Sequence, residues 1–244
     1  MILAPATSSV RRLATVGLLA LLLGGCSTVP NVTPTPSPTA GATIPPTAPA
    51  YTLAPAPSGC PTAAPAAMSG TATVTMSTNF GNIVIKVDAG LGANAAGTFV
   101  ALAKCGYYNN VVFHRIVEGF VIQAGDGTYA RLPTLTQSKM GTGGPGWSIQ
   151  DDKVTTAYKR GTVAMANTGA ANSASSQFFI VLSDTAWTAT TPTTYAIFGN
   201  VSSGLDVVDR IAQVPTGGEP GSDGSPASMP LQPIVITGTT VTTP

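Results

Sequence analysis

One imidazole, three thiols and ten carboxylates are the acid-base and nucleophilic stock of this 244-residue chain. The familiar catalytic arrangements fail on their number or their spacing. One His and three Cys do not make the four-ligand clusters of structural zinc, and a three-ligand catalytic metal would have to lean on scattered carboxylates, so no metal is expected. Gly141-Thr142-Gly143-Gly144-Pro145-Gly146 fits the GxGxxG spelling of a dinucleotide loop, yet nothing strand-like precedes it and nothing helical follows. It reads as a tight loop, and no cofactor is expected. His114 lies in an alternating run with no nucleophile elbow in sight, which assigns it to packing or hydrogen bonding. Asp151 and Asp152 adjoin a polar turn and read as a solvated pair. Arg115 lies beside His114 in the same run, and its residue type and spacing alone assign it no chemistry. Isolated on an alternating strand, the same Arg would be a surface ion-pair partner. Eleven Lys and Arg against ten Asp and Glu, with 9% of residues charged, leave no basic face for nucleic acid.

The elements that must position Arg115 read as mostly β. After Gly70, ATVTMST and NIVIKVD alternate on either side of Asn79-Phe80-Gly81-Asn82, a strand, turn, strand pattern. Asn94 is expected to open a short helix carrying Phe99, Leu102 and Ala103 at i, i+3 and i+4, which Gly106 ends. Strand-like runs follow at VVFHRIV, GFVIQAG, GTVAMAN, QFFIVLS and YAIFGNV. A second helix, Leu205 to Ala212, precedes a Gly/Pro/Ser loop and a last strand, PIVITGTTV. Many strands and two helices in roughly 170 residues predict one closed antiparallel barrel capped by helices.

Upstream, Arg11 and Arg12, an apolar run from Leu13 to Leu23, and Leu23-Gly24-Gly25-Cys26 read as a secretory signal over residues 1–25. The LGGC string resembles the bacterial lipobox, which implies that Cys26 becomes a lipidated mature N-terminus; an ordinary secreted protein cut nearby is the alternative. From Ser27 to Gly70 there is no charged side chain and there are eleven Pro, so residues 26–58 read as a disordered tether. In polyproline II at ~3.1 Å per residue it would reach roughly 100 Å from a membrane. The folded domain is placed at 59–244.

The run Phe113 to Asp126, FHRIVEGFVIQAGD, closely resembles the FHR...GF..Q.GD signature of cyclophilin-type peptidyl-prolyl cis-trans isomerases. Met165-Ala166-Asn167 followed by Ser176-Gln177-Phe178-Phe179-Ile180, and Tyr195 to Val201, resemble further blocks of that family in the same order. The similarity runs from about Thr71 to Val241. It implies an eight-stranded cyclophilin-like barrel, catalysis by Arg115, and substrate binding by Phe120, Val121, Gln123, Gly141, Ala166, Asn167, Gln177, Phe179, Trp187 and Tyr195. The partners it implies are proline-containing peptides, unfolded or exported proteins, and a cyclosporin-type inhibitor at Trp187. Val121 stands where many members carry Met, and the Thr-rich stretch 188–194 makes a longer rim than the pattern suggests. With the lipobox, the resemblance predicts a lipid-anchored, extracytoplasmic isomerase of the cell envelope; a prolyl-peptide-binding or chaperone module is the other reading. Cys60 and Cys105 remain after lipidation in an oxidising setting, where a disulfide is expected and two free thiols are the alternative.

Overall fold

The computed structural model describes residues 52–54, 57–187, 193–218 and 228–244. The signal peptide, Cys26 and nearly all of the tether read from the sequence lie outside the described residues. Among the described residues no helix is long and apolar enough to cross a membrane.

Period-two alternation builds the first hairpin. In β1 (Thr71–Thr78), Ala72, Val74 and Met76 face the core, as do Ile83, Ile85 and Val87 of β2 (Gly81–Asp88). Thr78 closes the turn by accepting the Phe80 N–H at 3.0 Å and donating to the Gly81 carbonyl at 2.7 Å. The buried Asn79 side chain donates to Pro233 O and accepts the Val235 N–H, tying this turn to the far end of the chain.

Helix α1 (Ala93–Lys104) buries Phe99, Leu102 and Ala103, but Asn94 does not cap it. The N-cap position is Gly92, and the orphan amides of the first turn are taken by a distant carboxylate. Asp152 accepts the Ala95 N–H at 2.8 Å, the Asn94 N–H at 3.2 Å and the Asn94 side-chain amide at 3.1 Å. Asp151 instead exchanges bonds with Asn172. Asp151 is solvent-exposed as expected, whereas Asp152 is half-buried and anchors α1. An N-terminal arm crosses α1 at Gly97, where a Cβ would sit 2.4 Å from Ala66 O, so only glycine admits the crossing. The arm is held by Met68 N–H to Ala93 O, by the Trp147 indole to Pro61 O, and by a Cys60–Cys105 disulfide with Cα atoms 5.1 Å apart.

The remaining strands are β3 (Arg115–Val117), β4 (Val121–Ala124), β5 (Thr162–Met165), β6 (Phe178–Val181), β7 (Ile197–Ser203), β8 (Thr216–Gly217), β9 (Met229–Pro230) and β10 (Ile236–Thr242). Helix α2 (Leu205–Ala212) lies where its pattern predicts it, and β8 with β9 adds a small separate hairpin in the loop that follows. The main sheet is antiparallel and eight-stranded, in the order β10-β1-β2-β7-β5-β6-β4-β3. The expected closed barrel is thus an open half-barrel. Its edge strands β10 and β3 do not form a ladder, because β3 is only three residues long and its Ile116 N–H is spent on Ser228 O. The gap is spanned by irregular backbone through a bridge of Val112 to Val235, made by Phe113 N–H to Ile234 O at 2.9 Å and Ile236 N–H to Val111 O at 2.8 Å. The core inside packs Phe99 against Tyr108, Phe178 and Phe198, with centroids 4.7–5.3 Å apart.

Candidate active site

Strand parity sorts the central strands into two apolar faces. Ile116, Ile122, Val163, Met165, Phe178 and Ile180 point into the core, so their neighbours point to the opposite side. On that side the register pairs Arg115 with Gln123, Gln123 with Phe179, Phe179 with Ala164, and Ala164 with Ile197. Cross-strand partners share a face, so five strands present one row that runs cation, amide, aromatic, methyl, aliphatic. With about 4.8 Å between strands, Arg115 and Phe179 are rooted about 10 Å apart. Hence a group resting on Phe179 lies within reach of the guanidinium.

The apolar end of the row is a second cluster. Phe120, Val121, Ala166, Phe179 and Tyr195, all expected from the sequence, come together there with Tyr158, Ala164, Val181 and Ile197. Trp187 packs on them. Its ring stacks on Tyr158 at 4.2 Å, on Phe120 at 4.9 Å and on Phe179 at 5.5 Å, while Tyr195 meets Phe179 edge-on at 5.4 Å. Tyr158 was not legible as a site residue; its only signal was one aromatic in the polar run KVTTAYKR.

The polar end is wired by side-chain amides. Gln123 donates from Nε2 to Gln177 Oε1 at 3.0 Å, and Gln177 Nε2 donates to the carbonyls of Gly141 and Gly143, both at 2.9 Å. Those two residues are held in turn by the buried Asp126. Its carboxylate accepts four backbone N–H groups: Thr128 at 3.0 Å, Tyr129 at 2.8 Å, Gly141 at 2.8 Å and Gly143 at 3.1 Å. Gly143 is required by this cradle, since a Cβ there would lie 2.2 Å from Asp126 Oδ1. Both oxygen and nitrogen of the Gln177 amide are therefore occupied, whereas the buried Gln123 Oε1 keeps no hydrogen-bond partner. The Asn167 amide bonds to Thr194 O and the Gly169 N–H, so it shapes the rim of the site.

His114, next to Arg115, is buried, and burial lowers its pKa to about 4, with the nearby Arg115 charge acting in the same direction and the Asp126 charge opposing. The Val112 backbone opposes the shift only weakly, and the ring is packed in the interior. Burial also raises the Tyr195 hydroxyl, with the Arg115 charge opposing. Among the described residues no three His, Cys, Asp or Glu side chains come together as a metal site. Cys60 and Cys105 pair with each other at the end of α1, apart from this constellation. The arrangement offers a hydrogen-bonding cation beside an apolar aromatic cup.

Residues 73–241 match the profile of the family described as cyclophilin type peptidyl-prolyl cis-trans isomerase/CLD. The chain is 37% identical over 165 residues to a peptidyl-prolyl cis-trans isomerase of Acinetobacter baylyi, covering 67% of this chain and 81% of that one. It is 35% identical over 170 residues to an isomerase of Streptomyces antibioticus, covering 68% and 95%. Among solved structures it resembles a cyclophilin type isomerase of Cryptosporidium parvum, with a TM-score of 0.59 and 26% identity over 71% of this chain and 99% of that one. A second structure of that protein was determined in the presence of the dipeptide Ala-Pro, and it superposes with a TM-score of 0.58. On the sequence match and the shared fold, the chain belongs to the cyclophilin-type peptidyl-prolyl cis-trans isomerases.

Proposed function

We propose that this isomerase acts on Xaa-Pro bonds of exported or envelope proteins and assists their folding, using a hydrogen bond from Arg115 to the twisted prolyl amide. A planar amide resists rotation by ~18–20 kcal/mol because its nitrogen shares the lone pair with the carbonyl. Before proline, cis and trans differ by about 1 kcal/mol, so an isomerase has only the barrier to lower. Twisting returns the lone pair to nitrogen, which then accepts a hydrogen bond that the planar ground state cannot. A charged donor fixed beside it stabilises the twisted form by roughly 1.5–3 kcal/mol, a ten- to hundredfold rate effect, with no covalent intermediate.

The observation that carries this reading is the cross-strand row from Arg115 through Gln123 to Phe179. A prolyl ring resting on Phe179 would bring its nitrogen toward the guanidinium. The open acceptor Oε1 of Gln123, oriented through Gln177, suits the task of holding that guanidinium in place. The Ala-Pro dipeptide present with a relative supports prolyl peptides as substrates. Export and lipid attachment at Cys26 rest on the apolar run and LGGC string, and the Cys60–Cys105 bond fits an oxidising compartment. A protease-coupled isomerisation assay on short Xaa-Pro peptides tests the mechanism. Arg115→Ala is expected to lower kcat/KM at least tenfold in a folded protein, and unchanged turnover would sink it.

A further inference from the structure

We propose that Tyr158 is a positioning residue for the prolyl site: one side chain fixes both Tyr195 and Trp187, the two aromatic walls that flank Phe179. The inference rests on the reading that the face of Phe120 and Phe179 receives the prolyl ring. Tyr158 lies in the connection between Asp152, which caps α1, and strand β5, and it is buried. Its hydroxyl donates to Tyr195 O at 2.8 Å and accepts the Tyr195 N–H at 3.1 Å. One oxygen thus satisfies both main-chain groups of a single residue, the service a neighbouring strand ordinarily performs.

Tyr195 needs that service because of where the ladder stops. The last paired residues of β5 and β7 are Ala164 and Ile197, and one further bond, Met165 N–H to Ala196 O, extends the pairing. Beyond it, among the described residues, no strand pairs with Tyr195, and the phenol of Tyr158 takes over. With its main chain held, Tyr195 turns its ring edge-on to both Phe179 and Trp187, at 87° and 84°. The same phenol ring lies against Trp187, nearly parallel at 22° and 4.2 Å between centroids. Trp187 is also stacked on Phe120 and Phe179, so where the indole rests decides how much of that cup a ligand can enter. Burial raises the pKa of the Tyr158 phenol, so it stays a donor through the neutral range.

Tyr158 reaches neither Arg115 nor Gln123, the polar end of the row, by any bond in the structure. Its loss should therefore loosen ground-state and transition-state binding together, which appears in KM and spares kcat. The test compares wild type, Tyr158→Phe and Tyr158→Leu on an Xaa-Pro peptide by NMR exchange or the coupled assay. KM is expected to rise at least fivefold in Tyr158→Leu and less in Tyr158→Phe, which keeps the stacked ring, with kcat within twofold in both. A second readout uses Trp147→Phe as background, leaving Trp187 as the single indole of the two in the chain. Its emission should shift to the red in Tyr158→Leu. Should the leucine variant fail to fold, Tyr158→Phe carries the test. A merely structural tyrosine would lower Tm and leave KM alone. Folded variants with KM within twofold of wild type, or with kcat falling in step, overturn the proposal. A wild-type protein that does not accelerate isomerisation would instead overturn the reading beneath it.

Discussion

Replacing Asp126 by Asn tests whether the polar end of the site is organised from beneath. The carboxylate is fully buried and offers Oδ1 to the amides of Thr128 and Tyr129, and Oδ2 to those of Gly141 and Gly143. An Asn side chain keeps one acceptor oxygen and presents an NH2 group where the other stood. Whichever way it turns, two backbone N–H groups lose their acceptor and face a donor. A hydrogen bond to a charged group is worth about 1.5–3 kcal/mol, and two would sum to about 3–6 kcal/mol if nothing relaxed. Gly141 and Gly143 are half-buried, so water recovers part of this, and a loss of about 3 kcal/mol is expected. The effect should not stop at stability. When the loop shifts, the carbonyls of Gly141 and Gly143 no longer fix the Gln177 amide, Gln177 no longer fixes Gln123, and the acceptor beside Arg115 drifts. Urea unfolding followed by circular dichroism reads the first effect, and the coupled assay under native conditions reads the second, with kcat/KM expected to fall about tenfold. A variant less than 1 kcal/mol destabilised, with wild-type kcat/KM, would refute both the cradle and its relay.

Two further outcomes follow from individual residues. His114 titrates near 4 when folded because it is buried, against about 6.5 when unfolded, so the unfolded state takes up its proton first as pH falls. Stability should decline from about pH 6.5 down to about pH 4 by roughly 3 kcal/mol, and His114→Gln should remove that part of the slope; an identical pH profile in the variant contradicts the assignment. If Cys26 carries the lipid, full-length protein made in a bacterial host should partition into detergent, and Cys26→Ser should move it to the aqueous phase. Equal partitioning of the two would count against the anchor.

Legibility followed the range of the interactions concerned. Helix α2 could be read because its apolar positions and its flanking glycine lie within one short window. The motif run from Phe113 to Asp126 holds two strands and one turn, so the facing of Arg115 and Gln123 is a local matter. Closure of the barrel was not local. It depends on whether two edge strands, far apart in sequence, can form a ladder, and the shortness of β3 prevents it. The capping of α1 by Asp152 spans 58 residues, and nothing in the neighbourhood of either partner announces it. Tyr158 eluded a sequence reading for the same reason, its partner Tyr195 lying 37 residues away beyond a ladder end. Amide side chains posed a different difficulty. Gln123, Gln177 and Asn167 all have the chemistry to hold a substrate backbone, but the structure spends the Gln177 and Asn167 amides on its own loops.

Whether Arg115 acts on the twisted bond or on the planar substrate is decided by comparing Arg115→Ala with wild type, binding and turnover being measured on the same peptide. NMR exchange spectroscopy gives the rate of interconversion on the enzyme, and titration of the same sample gives the dissociation constant. Turnover is expected to be at least tenfold lower in Arg115→Ala, equivalent to ~1.4 kcal/mol or more of lost transition-state stabilisation, with peptide affinity within about twofold of wild type. A folded Arg115→Ala protein that turns over at the wild-type rate, or that loses only affinity, would contradict action on the twisted bond.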